Sequence, residues 1–179
     1  EWLARVDERE MSRVIFELGE ERFARRIAAA IVAARAASPI TRTLQLAEVV
    51  RRAVRTHDGK HPATRSFQAI RIHINDELGQ LRQALEAALA VLAPGGRLAV
   101  ISFHSLEDRI VKQFIRGKAS VDPLFAGLPT IPPAAQPVMR EVGRKRKADA
   151  AEIARNPRAR SAVLRCAERL ATPGDGGAP

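Results

Sequence analysis

Residues 94–105 read Pro-Gly-Gly-Arg-Leu-Ala-Val-Ile-Ser-Phe-His-Ser, and the interpretation of the fold starts from this stretch. Pro94 and the two glycines after it end a helix, because proline lacks the donor N–H and glycine favours turns. The nearly continuous apolar run at residues 97–103 predicts a strand that is covered on both faces of a parallel sheet. Ser105 can cap a further helix, residues 105–117, with Asp108 at its third position. A helix, a tight turn and a buried strand together predict an α/β fold.

Upstream of this stretch, the apolar residues follow helical spacing almost without a break. Steps of three or four residues link Phe67 to Leu92 and predict one long helix that starts at a cap on Thr64. Three shorter helices are predicted before residue 57. The Gly- and Pro-containing segment His57–Pro62 then marks the end of an N-terminal helical domain, residues 1–62.

The second predicted domain, residues 63–170, continues beyond the helix that follows the apolar strand. Five prolines between residues 118 and 137 predict a surface loop. Two terminal strands are predicted at residues 138–142 and 161–167. Residues 171–179 are expected to form a disordered tail.

The charge of the chain favours a polyanionic partner. Lys and Arg number 30 against 20 Asp and Glu, which gives a formal net charge of +10 and a pI of about 11.2. Nucleic acid is the leading candidate, although an Arg-rich composition from a GC-rich genome would look similar.

Cysteine and histidine usage exclude several other kinds of site. Cys166 is the only cysteine, so an intrachain disulfide and a multi-thiolate zinc site cannot form, and a reducing cytoplasm fits. His57 and His61 lie in a proline-containing loop without a carboxylate cluster, so we expect no metal site. No apolar run approaches the ~20 residues that cross a bilayer, and a cytoplasmic location without a membrane partner is therefore expected.

Three stretches of the sequence resemble a single protein family through their order and spacing. They are residues 61–72 (HPATRSFQAIRI), residues 102–109 (SFHSLEDR) and residues 156–161 (NPRARS). Residues 19–24 (GEERFA) and 41–43 (TRT) extend the likeness, which covers nearly the whole chain from Glu1 to about Leu170. Each string alone would be weak. Together they resemble the MraW-type ribosomal RNA methyltransferases.

The resemblance implies an S-adenosylmethionine-dependent enzyme that methylates the N4 amine of a cytidine in the decoding region of 16S ribosomal RNA. The implied fold is a class I, Rossmann-like methyltransferase core, which has a seven-stranded sheet with a reversed hairpin at its end. This chain would hold only the carboxyl-terminal part of that core, preceded by an all-α recognition domain.

The methyl donor's binding site has no match in this chain. The family's first strands and its glycine-rich turn are expected upstream of Glu1. The segment Pro94–Gly96 precedes a strand and opens no helix, so it cannot place a helix amino terminus against a ligand. We therefore expect no cofactor-binding residue in the chain and no activity from this part alone.

Candidate catalytic residues follow the apolar strand, because ligands of doubly wound sheets gather outside the carboxyl ends of strands. They are Ser102, His104 and Ser105. In this hypothesis His104 contacts the unstacked cytosine or its phosphate, and Ser102 or Ser105 assists. The alternative is that His104 merely ends the strand while Ser105 caps the next helix.

Candidate RNA contacts are basic or amide side chains that could meet phosphates or base edges. They occur in the N-terminal helices, around the His61 loop, on the polar side of the long helix, in a basic run and before the last strand. These residues are Arg42, Lys60, His61, Arg65, Arg71, Asn75, Arg144, Lys145, Arg158 and Arg160. A solvated surface is the ordinary alternative for each of them.

The sequence leaves two functions open. In the first, the chain is one portion of a methyltransferase whose partner is 16S ribosomal RNA or an assembling small ribosomal subunit. In the second, it is a non-catalytic, basic RNA-binding fragment with salt-sensitive affinity and no affinity for the donor. An apolar strand at residues 97–103 that lacked a neighbour would promote self-association, so the isolated chain is expected to be marginal, insoluble or oligomeric, for example a homodimer.

Overall fold

The computed structural model describes residues 1–54 and 61–171. The chain forms two compact units, Glu1–Glu77 and Leu78–Pro179, so it divides after Glu77, where the sequence suggested a division after Pro62. Of the tail predicted at residues 171–179, residues 172–179 lie outside the described residues.

The described residues of the first unit form five helices. They are α1 (Trp2–Arg5), α2 (Glu8–Gly19), α3 (Ala24–Ala37), α4 (Thr43–Ala53) and α5 (Thr64–Asn75). α2 begins at a cap in which the Asp7 carboxylate accepts the Glu10 N–H. Its apolar face packs against α3 and α5, and the fully buried core of the unit includes Met11, Ile15 and Ile27.

α2 and α5 approach each other closely at Gly19. A Cβ on Gly19 would lie 2.7 Å from the Arg65 carbonyl oxygen and 3.3 Å from the Ala69 Cβ. This close packing makes α5 part of the first unit, and it explains why the division of the chain falls after α5 and not before it.

The prediction of one long helix from Thr64 to Leu92 is wrong. α5 ends at Asn75, and α6 (Glu77–Val91) begins after Asp76, whose φ of 48° is in the left-handed region. Aspartate tolerates this conformation better than most residues that carry a Cβ. Ile74, which belongs to the apolar spacing of the predicted helix, is 58% exposed as a result.

The second unit combines helices with a small sheet. Its elements are α6, β1 (Arg97–Ser102), α7 (Ser105–Lys118), β2 (Met139–Glu141), β3 (Arg146–Lys147), α8 (Ala150–Arg155) and β4 (Val163–Arg169), with 3-10 turns at Pro133–Ala135 and Pro157–Ser161. The last strand begins two residues later than predicted because the 3-10 turn occupies Ser161. β3 and α8 were not predicted.

The glycine-rich turn before β1 ends α6 as predicted. Gly96 N–H donates to the Ala93 carbonyl across the turn, and Gly95 has a φ of 79° that a side chain would strain. Proline at the second position and glycine at the third are the residues that a type II turn prefers.

The sheet has the strand order β1-β4-β2, and β3 also pairs with β4. β4 runs antiparallel to all three neighbours. The prediction of a parallel sheet around β1 is therefore wrong for the described pairings, since an apolar run carries no information on the direction of its neighbours. Because β1 and β2 are both antiparallel to β4, they run parallel to each other.

Only one face of this sheet is covered within the second unit. Leu98 and Val100 pack with the core that α6 and α7 share with the strands, around Leu85 and Val111. Ile101, on the opposite face of β1, is 58% exposed. The predicted burial of β1 on both faces is thus wrong in the described chain. None of the helices in residues 1–54 and 61–171 combines the length and apolar content needed to cross a membrane.

We predict that Gly19→Ala lowers the free energy of unfolding by about 2 kcal/mol or more, because the new methyl group collides with the backbone of α5. Gly117→Ala is the matched control, since Gly117 is also helical and a Cβ there meets nothing within 4 Å. That change should be neutral or stabilise by up to about 1 kcal/mol. Urea unfolding followed by circular dichroism checks both, and equal effects would contradict the close helix crossing.

Candidate functional site at the carboxyl end of β1

The register of the sheet brings together the carboxyl end of β1 and the basic segments around β3. Ser102 lies opposite Val163 of β4, and Lys147 of β3 lies opposite the same Val163. Ser102, Val163 and Lys147 therefore lie in one row across the strands β1, β4 and β3. The candidate residues His104 and Ser105 follow directly where α7 begins.

His104 is the N-cap of α7, which the sequence assigned to Ser105. Its Nδ1 accepts the Glu107 N–H at 3.4 Å, and Glu107 Oε2 accepts the N–H groups of Phe103 (2.8 Å) and His104 (3.2 Å). This is a capping box with histidine in place of serine or threonine. The prediction that Ser105 caps the helix with Asp108 at the third position is therefore wrong. Ser105 is the first helical residue and is exposed.

The other ring nitrogen of His104 is buried without a hydrogen bond. Nε2 lies 3.3 Å from Glu107 Oε1, but the contact does not reach hydrogen-bond geometry, and Nε2 has no other partner among the described residues. Because Nδ1 accepts a hydrogen bond, the neutral ring carries its proton on Nε2. Nε2 is buried in the described chain, so a ligand can accept this proton only when the groups that cover Nε2 move aside. Ser102 is 3% exposed and Ser105 is on the surface, so the three candidates differ sharply in access.

An ion pair fixes α7 on the sheet next to these residues. Arg165 of β4 donates from Nε and Nη2 to the two carboxylate oxygens of Asp108 at 2.7 and 3.0 Å. The hydrogen bonds from Arg165 hold the pKa of Asp108 below its usual value, and the same pairing raises the pKa of Arg165. Asp108 thus joins a long-range pair, which sequence spacing alone could not reveal. An arginine between Leu164 and Cys166 in the last strand was the available signal.

Four predicted RNA contacts belong to the second unit and are exposed. Arg144 and Lys145 precede β3, and Arg158 and Arg160 lie in the 3-10 turn that leads into β4. Asn156 holds that turn by accepting the Arg158 N–H at 3.2 Å. By strand register, both segments approach the end of the sheet where Ser102 lies.

The predicted RNA contacts of the first unit have different surroundings. Arg71 donates from Nε and Nη2 to Glu77 at 2.8 and 3.0 Å, and Asn75 donates to the same carboxylate at 3.2 Å. Arg65 lies 3.7 Å from the buried Glu21. These pairings favour a role in the first unit's own structure for Arg65, Arg71 and Asn75.

Of the other three candidates of the first unit, two are exposed, and the third lies outside the described residues. Arg42 and His61 are exposed, and His61 Nδ1 accepts the Ala63 N–H at 3.2 Å. Lys60 lies outside the described residues, as does His57.

The glycine-rich turn does not fit a methyl donor. Gly95 N–H donates to the Arg169 carbonyl and Gly96 N–H to the Ala93 carbonyl, both at 2.8 Å, so neither amide is available to bind a carboxylate. Within residues 1–54 and 61–171, no group of three or more His, Cys, Asp or Glu side chains is arranged to hold a metal ion.

A basic groove in the first unit was missed by the sequence analysis. It has a volume of about 710 Å³ and lies along α2 and the start of α3. Arginines at positions 9, 22, 25 and 26 line it together with two phenylalanines. The helical spacing of Arg9 and Arg13 on α2 indicated a basic helix face. That α3 and the turn before it supply the other arginines of the groove could be seen only in the folded structure.

Comparison with known proteins gives the family to which the chain belongs. The model of one family, described as the MraW methylase family, matches residues 1–170. This match spans both units and all three of the sequence stretches that carried the resemblance. The chain belongs to the MraW methylase family.

Curated relatives agree with this assignment. The chain is 58% identical over 176 residues to a protein of Xylella fastidiosa (strain M12), covering 95% of this chain and 56% of that protein. It is 60% identical over 172 residues to one of Chromohalobacter salexigens, covering 95% and 52%, and 59% identical over 179 residues to one of Herminiimonas arsenicoxydans, covering 97% and 54%. All three are named ribosomal RNA small subunit methyltransferase H. The chain spans about half the length of these relatives.

We predict that Asp108→Asn lowers the free energy of unfolding by about 1–2 kcal/mol at pH 7, because it removes the charge that Arg165 binds. The pKa of Asp108 is lowered in the folded state, so its pairing stabilises above the unfolded pKa of about 3.9 and is lost as the pH falls through the folded pKa. The difference between variant and wild type should therefore shrink below about pH 4.

Glu86→Gln is the control, since Glu86 forms an exposed pair with Lys118 at 2.9 Å on the same unit. Its effect should be smaller at every pH. Urea titrations at pH 7 and pH 3 check the prediction. A difference that does not depend on pH would contradict the ion pair's contribution.

Proposed function

We propose that this chain is the carboxyl-terminal part of an S-adenosylmethionine-dependent methyltransferase that modifies the N4 amine of a cytidine in the decoding region of 16S ribosomal RNA. The observation that carries the proposal is the family match over residues 1–170, together with relatives at 58–60% identity that bear the name of a ribosomal RNA small subunit methyltransferase. The net charge of +10 is compatible with an RNA substrate.

The sheet topology supports a class I core. Its last strand, β4, is inserted between β1 and β2 and runs against both of them. The family resemblance implies a sheet with a reversed hairpin at its end, and a strand that runs against both of its neighbours is compatible with that arrangement. In this proposal the edge of β1 that is unpaired among the described residues receives a parallel strand from the upstream part of the enzyme, and the first unit serves as the RNA-recognition domain.

The donor would supply the methyl group and leave as the uncharged thioether. Its site is proposed to lie upstream of this chain, because the one glycine-rich turn before β1 uses both of its amides internally. The residues of this chain would then act on the RNA side of the reaction, by binding and orienting the nucleotide.

His104 is the proposed contact to the target nucleotide. A cytosine amine is a weak nucleophile because its lone pair is delocalised into the ring, so orientation of the base contributes much of the rate. The proton on His104 Nε2 suits an acceptor such as a phosphate oxygen or the cytosine O2 or N3, and does not suit the amine itself. The capping box holds the ring in place from its Nδ1 side. Ser102 and Ser105 would support this contact.

Basic segments at the same end of the sheet would hold the RNA backbone. Arg144, Lys145, Arg158 and Arg160 are exposed there and can neutralise phosphates. We propose 16S ribosomal RNA, free or in an assembling small subunit, as the partner, the cytoplasm as the location, and a homodimer as an open alternative for the isolated chain.

A second candidate, a non-catalytic RNA-binding fragment, is favoured by one observation: no donor site is evident in the described residues, because the glycine-rich turn has no unused amide. The two candidates differ in what they predict for the donor once the upstream segment is supplied.

We predict that isothermal titration calorimetry detects no stoichiometric binding of S-adenosylmethionine to the 179-residue chain. The same chain fused to the upstream half of a relative should bind the donor and methylate RNA. Stoichiometric binding by the chain alone would contradict the upstream donor site, and an inactive fusion that binds RNA would favour the second candidate.

We predict that His104→Asn in the active, extended protein lowers kcat/KM for RNA methylation by about tenfold or more while leaving stability nearly unchanged. Asparagine is a good N-cap, so α7 keeps its start, but the ring and its Nε2 donor are lost. Asp149→Asn is the matched control, because Asp149 caps α8 by accepting the Glu152 N–H at 2.7 Å. Full activity of His104→Asn would assign His104 to capping alone.

A further inference from the structure

The groove along α2 and α3 of the first unit combines unpaired arginines with exposed aromatic surface. Arg9, Arg22 and Arg25 line it and are exposed. Within residues 1–54 and 61–171, none of these three makes a hydrogen bond or ion pair through its side chain. Arg13 differs, because Glu10 and Glu17 hold it at 2.6 and 2.8 Å. Glu8 is the one carboxylate among the described lining residues, so it offsets the charge of the lining arginines only in part.

Phe16 is the exposed aromatic residue of the groove. It lies on the same helical face of α2 as Arg9 and Arg13, opposite the buried face that contains Met11 and Ile15, and it is 60% exposed. An exposed apolar side chain is ordinary on a protein surface, so its relevance comes from its place beside arginines, where an aromatic ring can stack on a base.

The opposite wall of the groove is held in position by local contacts. The Arg22 guanidinium lies 4.5 Å from the centre of the Phe23 ring, a cation–π distance. Phe23 N–H donates to the buried Glu21 carboxylate at 2.9 Å, which fixes the turn that leads into α3. Arg22 is thus oriented before any ligand arrives, and this lowers the entropy cost of binding.

The size and extent of the groove suit a chain of nucleotides. A volume of about 710 Å³ accommodates a nucleotide-sized group. Phe23 and Arg26 also line a neighbouring cavity of about 360 Å³ that reaches Arg52, so the two cavities share lining residues, although Arg52 itself is paired with Glu48 at 2.6 Å. Arginines that follow a backbone, with aromatic rings between them, are the usual composition of a single-stranded nucleic-acid track.

We infer that this groove binds a single-stranded segment of RNA, with Phe16 stacking on an unpaired base and with Arg9, Arg22 and Arg25 contacting the adjacent phosphates. The inference rests on the proposed function, since it takes the RNA of that function as its ligand. It adds a contact surface that does not include any of the residues proposed from the sequence. An acidic protein segment could match the charge, but it would not explain an exposed phenylalanine between arginines as directly as a stacked base does.

Fluorescence anisotropy with a labelled single-stranded RNA of about 12 nucleotides tests the inference. The double variant Arg9→Gln, Arg25→Gln should bind at least tenfold more weakly at 0.1 M salt. The slope of log K against log salt concentration should fall by about 1.4, because two phosphate contacts on a single strand are lost. The control double variant Arg5→Gln, Arg116→Gln makes the same change in net charge at exposed positions outside the groove and should change the slope by less than half as much.

Phe16→Leu separates stacking from charge and from folding. Leucine keeps an apolar side chain at a 60% exposed position, so circular dichroism should show an unchanged fold. RNA affinity should fall roughly tenfold through the lost stacking.

The results of these binding experiments distinguish a failure of the proposed function from a failure of the groove inference. If the wild-type protein does not bind RNA, the proposed function itself fails. If it binds, but the groove variants match the control or Phe16→Leu binds as well as wild type, then only the groove inference is overturned, as expected for a solvated basic surface or a protein-binding groove.

Discussion

The pairing of β1 with β4 is the constraint on which the rest of the second unit depends. Six residue pairs from Arg97–Glu168 to Ser102–Val163 connect two strands that lie more than sixty residues apart. This register places α7 over the sheet, where Arg165 binds Asp108, and it aligns Ser102 with Lys147 through their common neighbour Val163. A shift by one residue would turn Arg165 to the uncovered face and break the ion pair. The candidate site therefore exists only in this register.

Local signals in the sequence predicted the elements near β1 well. Proline and glycine at positions 94–96 ended α6, and the apolar run gave a strand within one residue of its observed end. The sequence could not predict the partners of that strand. Direction and neighbours depend on β4, whose pairing is a long-range property, and the absence of cover on the Ile101 face depends on which helices the chain supplies.

The wrong or missed predictions share a physical cause: short sequence patterns are ambiguous where the structure depends on residues outside the pattern. Helical spacing of apolar residues continues on both sides of Asp76, so periodicity cannot detect the left-handed residue that separates α5 from α6. Ser105 is a common capping residue, yet His104 takes that position because Glu107, three residues on, completes the box. The groove of the first unit combines residues of α2 and α3, so neither segment alone revealed it.

We propose two roles for the chain: contact with the target nucleotide at the end of β1, and attachment of RNA by basic surfaces on each unit. The first role is best tested by photo-cross-linking with 16S-derived RNA that carries a photoreactive base at the modified position and with the extended, active protein. We expect the principal cross-link to fall on the peptide containing Phe103, His104 and Ser105. Cross-links confined to other segments, with this peptide unmodified, would contradict it.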